Sequence, residues 1–457
     1  MSDAKRSYTS LFGTDGVRGQ ANQFPMTPEI ALALGKAAAV VFRRHKGKHV
    51  IVIGKDTRRS CYTFENALVA GLCSMGVDTL VVGPVPTPGV AFLTRAYRAD
   101  AGIVISASHN SFEDNGIKFF SKEGFKLPKK IEKEIEQLAL TQNFQAHIPP
   151  PHAMGRNSRM FDAYGRYIEF VKATFPRDLT LSGYTIVLDC AHGAAYNIAP
   201  LILKELGAEI IPIGVEPDGL NINKECGALF PQAASSVLTA RGADIGVVLD
   251  GDADRLIMID EMGQVVDGDV ILAICARYFL KENLLPNKEV VVTVMSNLGM
   301  VRGLEELGIK VHISAVGDRY VIEKMRETGA ILGGEQSGHL VFMDHNTTGD
   351  ALVGALQVLR IMAESKVRLC DLVRQIRLFP QVTSSVRCRE KIDLMQWPRM
   401  QKAIEAATQE LGSQGRVLVR YSGTEPLLRL MVESEKARLA TSLLQGLVTI
   451  AKEDLGE

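Results

Sequence analysis

One pattern, repeated three times, narrows what this chain can fold into. Each copy opens on an uninterrupted apolar run: Val50 to Ile53 (VIVI), Thr185 to Leu188 (TIVL) and Val290 to Val294 (VVVTV). A helical stretch follows and stops at a glycine, in SMGVDTLVVG at Gly76, ELGAEIIPIG at Gly207 and ELGIKVHIS at Gly308, and a second strand-like run comes after it. Glycine suits the left-handed residue that closes a helix. Apolar runs without inner alternation are strands covered on both faces, so the pattern predicts three related βαβ units with mixed or largely parallel sheets.

The third strand of each unit brings in polar chemistry. RADAGIVISAS (Arg98 to Ser108) aligns with RGADIGVVLDGD (Arg241 to Asp252), so that Ser108 falls opposite Asp252. TGAILGGEQSGH (Thr328 to His339) sets its polar loop at the corresponding strand end. Open α/β sheets bind ligands beyond the carboxyl ends of their strands, so three equivalent loops are expected to line one cleft. Boundaries are expected after the Pro149-Pro150-Pro151 run and near 257 and 375, giving domains 1–153, 154–257, 258–375 and 376–457. The last reads differently: a strand at VTSSVRC (382–388), a helix to Leu411, two strands around SGTEP and a closing helix make a smaller α+β domain. Its hairpin tip, Ser422-Gly423-Thr424, flanked by Arg420 and Arg429, suits a dianionic phosphate, the plainer alternative being an ordinary polar turn.

Composition removes other classes. At 457 residues, 46% hydrophobic and 23% charged, the chain is long enough for several domains with real cores. Lys plus Arg and Asp plus Glu both total 52, so no overall field draws in nucleic acid or an anionic membrane, and any anion site is local. Cys61, Cys73, Cys190, Cys226, Cys275, Cys370 and Cys388 are odd in number and never form a CxxC pair, which fits a reducing compartment. The opening MSDAKRSYTS lacks the apolar centre of a signal peptide, and no run approaches the ~18 apolar residues of a membrane span. A cytoplasmic protein is expected.

The sharpest local signal is Asp250-Gly251-Asp252-Ala253-Asp254-Arg255 after the strand IGVVL. Carboxylates packed this closely repel by about 4 kcal/mol per pair at ~4 Å and an effective dielectric of ~20, and a cation relieves the cost. Oxygen ligands without His or Cys favour Mg²⁺ or Ca²⁺ over zinc. An EF-hand loop would need Gly where Arg255 stands. Mg²⁺ takes few protein carboxylates and completes its shell with phosphate oxygen, so a phosphoryl ligand is expected from elsewhere. The plainer alternative is a solvated acidic turn.

Ser106-Ala107-Ser108-His109-Asn110 supplies a candidate. It is not a G-x-S-x-G elbow, and adjacent Ser and His do not make a hydrolase pair. A phosphorylated Ser108 would bring about −1.5 to −2 charge and an oxygen for the metal. Lys118, in NGIKFF, could offset charge or move a proton, although a lysine before two Phe more often snorkels at a surface.

With these motifs assembled, the chain resembles the α-D-phosphohexomutase superfamily over essentially its full length. The motifs stand in the family's order: LFGTDGVRG (11–19), ISASHN with DNGIKFF (105–120), LDGDADR (249–255), GGEQSGH (333–339) and RYSGTEPLLR (420–429). The resemblance implies three related α/β domains and a smaller fourth around a central cleft. It implies that Ser108 carries the phosphoryl group and that Asp250, Asp252 and Asp254 hold one Mg²⁺ per subunit with a phosphoserine oxygen. Arg18, His109, Lys118 and Arg255 then surround the transferring group, Glu335 and Ser337 contact sugar hydroxyls, and Arg420, Ser422, Gly423, Thr424 and Arg429 cradle the phosphate that does not react. Ser111 departs from the family, in which Pro usually follows SHN, and this bears on the stiffness of the serine loop.

LFGTDGVRG, VGDRYV (316–321) and Gln336 are similar to the branch of the superfamily that acts on glucosamine phosphates, where relatives for glucose or mannose phosphates more often carry Met in GEMSGH. Asp318 and Arg319 are then candidate substrate contacts, a carboxylate being able to pair with a substrate ammonium; the plainer alternative is a helix N-terminal acid with a surface partner. The implied activity interconverts glucosamine 6-phosphate and glucosamine 1-phosphate through a sugar 1,6-bisphosphate, feeding UDP-N-acetylglucosamine and cell-wall synthesis, with Lys118 favoured as general base. The implied partners are small phosphosugars, without nucleic acid or membrane, and a homodimer is left open. The alternatives are a glucose or mannose phosphate mutase, and a sugar-phosphate-binding regulator without turnover.

Overall fold

The protein is described from a computed structural model covering residues 10–13, 15–43, 47–389, 392–421 and 427–455. The repeats fold as one topology. In the first, Val50–Lys55 pairs in parallel with Asp78–Pro84 on one side and Ala101–Ile105 on the other, and Asp114–Ser121 runs antiparallel beyond Ala101–Ile105. In the second, Thr185–Asp189 lies between Glu209–Ile213 and Ile245–Leu249, both parallel to it, and Leu256–Ile259 is the antiparallel neighbour. The third pairs Glu289–Thr293 with Leu332–Gly334 in parallel and that strand with Leu340–Phe342 antiparallel. These are mixed α/β sheets. Most residues of the inner strands are fully buried, as the unbroken apolar runs require.

Helices Ser60–Ser74, Ile198–Glu205 and Leu298–Glu306 each end just before a glycine, and Gly76, Gly207 and Gly308 take φ of 81°, 100° and 81°. Left-handed backbone costs glycine little, so the chain can reverse there into the next strand.

The chain divides into two compact units, one formed by Met1–Val294 with His312–Val373 and the other by Met295–Val311 with Arg374–Glu457. The first unit holds the seven-stranded sheet of the first repeat and the five-stranded sheet of the second. One core in it gathers Leu34, Ile51, Ile53, Phe64, Leu68, Leu72, Ile103 and Ile105. In the second unit, Gln381–Arg387, Leu427–Ser434 and Gly415–Tyr421 form an antiparallel sheet in that order, packed on helices Pro398–Leu411 and Ala437–Leu455 around Trp397, Met400, Leu428, Leu430 and Leu444. Among the described residues no helix is long and apolar enough to cross a membrane.

Candidate active site

Ser108 follows Ala101–Ile105 by three residues, in left-handed backbone (φ 52°) and with 1% of its surface exposed. A β-carbon makes that conformation costly, so the surroundings must impose it. Its N–H donates to Ser106 Oγ at 2.9 Å. Its carbonyl accepts from Arg58 Nη2 at 3.2 Å and from Asn223 Nδ2 at 2.9 Å, and the Asn110 carbonyl accepts from the same two groups at 2.6 and 2.9 Å. Arg58 Nε reaches the Ser111 carbonyl at 3.4 Å, so the position where proline is missing is tied by its backbone. Arg58 is wholly buried and pairs with buried Asp56.

Ser108 Oγ donates to Asp250 Oδ2 at 2.6 Å. The acidic loop can come this near because residue 251 is glycine: a β-carbon there would lie 2.6 Å from the Ser108 carbonyl oxygen. Asp250 Oδ1 accepts from the N–H groups of Asp254 and Arg255 at 3.1 and 3.2 Å. Asp252 and Asp254 each keep one buried oxygen, Oδ1 in both, without a hydrogen-bond partner. One oxygen from each of the three carboxylates lies within 4.8 Å of the others, and all three residues are buried. Burial, then the charges of Asp254 and Asp252, hold the Asp250 carboxyl well above its usual pKa. Bare buried carboxylate oxygens are costly, and a hard divalent cation is the group they fit. The solvated-turn alternative fails on burial.

Lys118 does not snorkel. It points inward from strand Asp114–Ser121 with 2% exposure, donates to Asp252 Oδ2 at 2.8 Å, and lies 3.3 Å from Asp15 and 3.6 Å from Asp254. Burial opposes its charge, but Asp15, Asp252 and Asp254 together outweigh burial and raise its pKa far above the ordinary lysine value. Asp15 also pairs with Arg18 and Lys126, and Lys126 pairs with Asp318. His339 Nε2 lies 3.6 Å from Asp318 Oδ2, and its Nδ1 lies 3.7 Å from Asp254 Oδ2. Asp254, Lys118, Asp15, Lys126, Asp318 and His339 thus close a circuit.

His109 Nδ1 is 3.3 Å from Ser108 Oγ. Burial, then the cationic Arg255 and Arg18, push its pKa down to about 4, so the ring is neutral near pH 7. Arg255 Nε lies 3.9 Å from Asp254. Glu335 Oε1 accepts the Gly317 N–H at 2.8 Å, just before helix Asp318–Thr328, while Ser337 is exposed. Asp318 is a helix N-terminal acid, but its partner is the nearly buried Lys126 rather than a surface cation. Arg319 is buried and pairs with Glu132.

Arg420 and Arg429 belong to the second unit, where they face each other across the Gly415–Tyr421 and Leu427–Ser434 pair. They line a pocket of about 220 Å³ with Thr383, Ser384, Ser385 and Met295. Burial, then the neighbouring Arg429, lowers the Arg420 pKa. Arginines held this close favour an anion nearby. Ser422, Gly423 and Thr424 lie outside the described residues.

Comparison with known proteins places this geometry. Models of the phosphoglucomutase/phosphomannomutase family match four successive stretches: alpha/beta/alpha domain I at residues 9–146, domain II at 165–263, domain III at 267–379 and the C-terminal domain at 385–449. The chain belongs to the phosphoglucomutase/phosphomannomutase family. Among relatives of this family, the phosphoglucosamine mutase of Protochlamydia amoebophila is 55% identical over 454 residues, covering 99% of each chain. A phosphoglucomutase/phosphomannomutase family protein from Burkholderia thailandensis shares the fold with a TM-score of 0.81 at 24% identity, covering 98% of this chain and 99% of that one. Aspergillus fumigatus N-acetylphosphoglucosamine mutase, solved with GlcNAc-6P and magnesium, shares it with a TM-score of 0.67 at 18% identity, covering 97% and 95%.

For this family member, sequence reasoning passed over Asp15, His339, Lys126, Arg58, Asn223 and Thr87. Asp15 and His339 stood inside quoted motifs, LFGTDGVRG and GGEQSGH, and carried that signal. The others had none, since each acts on a residue at least 50 positions away.

Proposed function

We propose that this chain is a phosphoglucosamine mutase, an isomerase that interconverts glucosamine 6-phosphate and glucosamine 1-phosphate through phosphorylated Ser108. One observation carries the reading: Ser108 Oγ sits 2.6 Å from Asp250, beside two buried carboxylate oxygens that lack partners. The kinship to phosphoglucosamine mutases at 55% identity supports the substrate.

Phosphoserine 108 gives its phosphoryl group to O1 of glucosamine 6-phosphate: the bond from phosphorus to the Ser108 oxygen breaks, a bond to O1 forms, and the O1 proton passes through a protein base back to the Ser108 oxygen. The 1,6-bisphosphate then turns over. Its 6-phosphoryl group returns to Ser108, leaving glucosamine 1-phosphate and a recharged enzyme. Asp250, Asp252 and Asp254 hold Mg²⁺, which when bound neutralises charge on phosphoryl oxygens. Arg18, Lys118 and Arg255 stabilise the loose transition state electrostatically. Lys118 is an ammonium in its ion-paired state and must shed those pairs to act as base, whereas His109 is neutral beside the hydroxyl. Glu335, Ser337 and Asp318 face the sugar, Asp318 being the carboxylate for its ammonium, while Arg319 anchors to Glu132. Arg420, Arg429 and the Ser422-Gly423-Thr424 tip hold the phosphate at rest. We read four domains, with boundaries near 153, 257 and 375, in a cytoplasmic enzyme.

The test combines intact mass with kinetics. Incubation with a glucosamine 1,6-bisphosphate should add one phosphoryl mass, mapped to Ser108, and kcat/KM should favour glucosamine 6-phosphate over glucose and mannose phosphates. Ser108→Ala should bind substrate and lose nearly all turnover. Full activity in that variant sinks the phosphoserine reading, and a preference for glucose or mannose phosphates sinks the choice of substrate.

A further inference from the structure

Thr87 lies 165 residues before Asp252 and belongs to the first repeat, at the first residue of helix Thr87–Ala96. Its hydroxyl donates to Asp252 Oδ2 at 2.6 Å, and its backbone N–H donates to the Asp252 carbonyl at 2.9 Å. Both residues have 1% exposure. Lys118 Nζ donates to the same Oδ2 at 2.8 Å. The other oxygen, Oδ1, is buried without a partner.

The asymmetry is informative. A carboxylate rotating freely about its last torsion would share its donors between both oxygens. Here two donors are spent on one oxygen, and the backbone bond fixes the peptide from which the side chain springs. We propose that Thr87 is a positioning residue for the divalent cation: by occupying Oδ2 of Asp252 it turns Oδ1 toward the ion and fixes which oxygen binds. Partners behind a ligand set its orientation and basicity, and their loss typically weakens metal affinity about ten- to a hundredfold. Lys118 alone cannot replace Thr87, since its ammonium is shared among Asp252, Asp15 and Asp254 and can swing on a four-carbon stem. The inference rests on the metal reading of the acidic trio and not on which sugar is bound.

The experiment is Mn²⁺ binding to unphosphorylated enzyme without sugar, read by electron paramagnetic resonance, for wild type, Thr87→Val, Thr87→Ser and Asp252→Asn. Valine keeps the shape and the backbone bond and removes only the hydroxyl. Thr87→Val is expected to weaken Mn²⁺ about ten- to a hundredfold, to raise the Mg²⁺ concentration for half-maximal turnover by a similar factor, and to leave the sugar-phosphate KM nearly unchanged at saturating Mg²⁺. Serine should restore affinity to within a few-fold. Should valine not fold, Thr87→Ala removes the same hydroxyl and is read by the same criteria. Wild-type affinity in a folded variant lacking the hydroxyl overturns the role of Thr87. Absence of Mn²⁺ binding in wild type, or wild-type affinity in Asp252→Asn, overturns it along with the metal reading. Mn²⁺ bound normally by an enzyme inactive on glucosamine 6-phosphate would instead count against the substrate alone.

Discussion

Asn223 donates its side-chain amide to the carbonyl oxygen of Ser108 at 2.9 Å, although 115 residues separate them. With Arg58 on the same carbonyl, it holds Ser108 in its left-handed backbone. Asn223→Ala is therefore expected to lower kcat about ten- to a hundredfold through misplacement of the hydroxyl, with KM changed less. Steady-state kinetics on glucosamine 6-phosphate checks the split. Arg58→Met leaves Asp56 buried without its ion-pair partner, and is expected to cost about 3 to 5 kcal/mol of stability in denaturant titration.

Asp15 stands between Lys118, Lys126 and Arg18, and these cations with burial as the opposing effect hold its carboxyl well below the usual pKa. Asp15→Asn keeps the shape and leaves three cations converging. The expected loss is about 1 to 3 kcal/mol in denaturant titration, since Asp15 is partly exposed and Lys118 and Lys126 keep other carboxylates. Lys126→Met removes one of those cations, so the double variant should lose less than the sum of the single ones, with a coupling of about 0.5 to 3 kcal/mol in a double-mutant cycle.

On the proposed metal reading, a divalent ion should stabilise the native protein, because the three carboxylates converge only when it is folded. At a free concentration of a hundred times Kd the gain is about 2.7 kcal/mol. Melting in excess Mg²⁺ should exceed melting in a chelator, and the difference should vanish in an Asp252→Ala variant. An unchanged difference would place the ion elsewhere.

Burial pushes the Cys61 and Cys190 thiols well above the ordinary value, and those of Cys226 and Cys275 up to about 12. Since the thiolate is the nucleophile, native protein at pH 8 should leave these four unmodified by iodoacetamide while denatured protein reacts at all seven cysteines. Peptide mass mapping reads this directly.

Much of the fold was legible in the chain because its signals are local. An apolar run of four or five residues declares a strand buried on both faces, and a glycine at the end of a helical stretch declares the left-handed stop; Gly76, Gly207 and Gly308 do this at three matching places. The acidic trio was equally visible, its members being two residues apart in a single loop. Sequence by itself therefore determined the repeated α/β units and the acidic loop. Lys118 shows where this stops: local context favoured a surface lysine, and the fold buried it against Asp15, Asp252 and Asp254. Periodicity reports whether a position faces inward but not which distant charges it will meet there. A buried charge is tolerable only with its partners in place. Those partners, like Thr87 beside Asp252 and Asn223 beside Ser108, are set by the crossing of segments far apart in the chain, which tertiary structure alone decided.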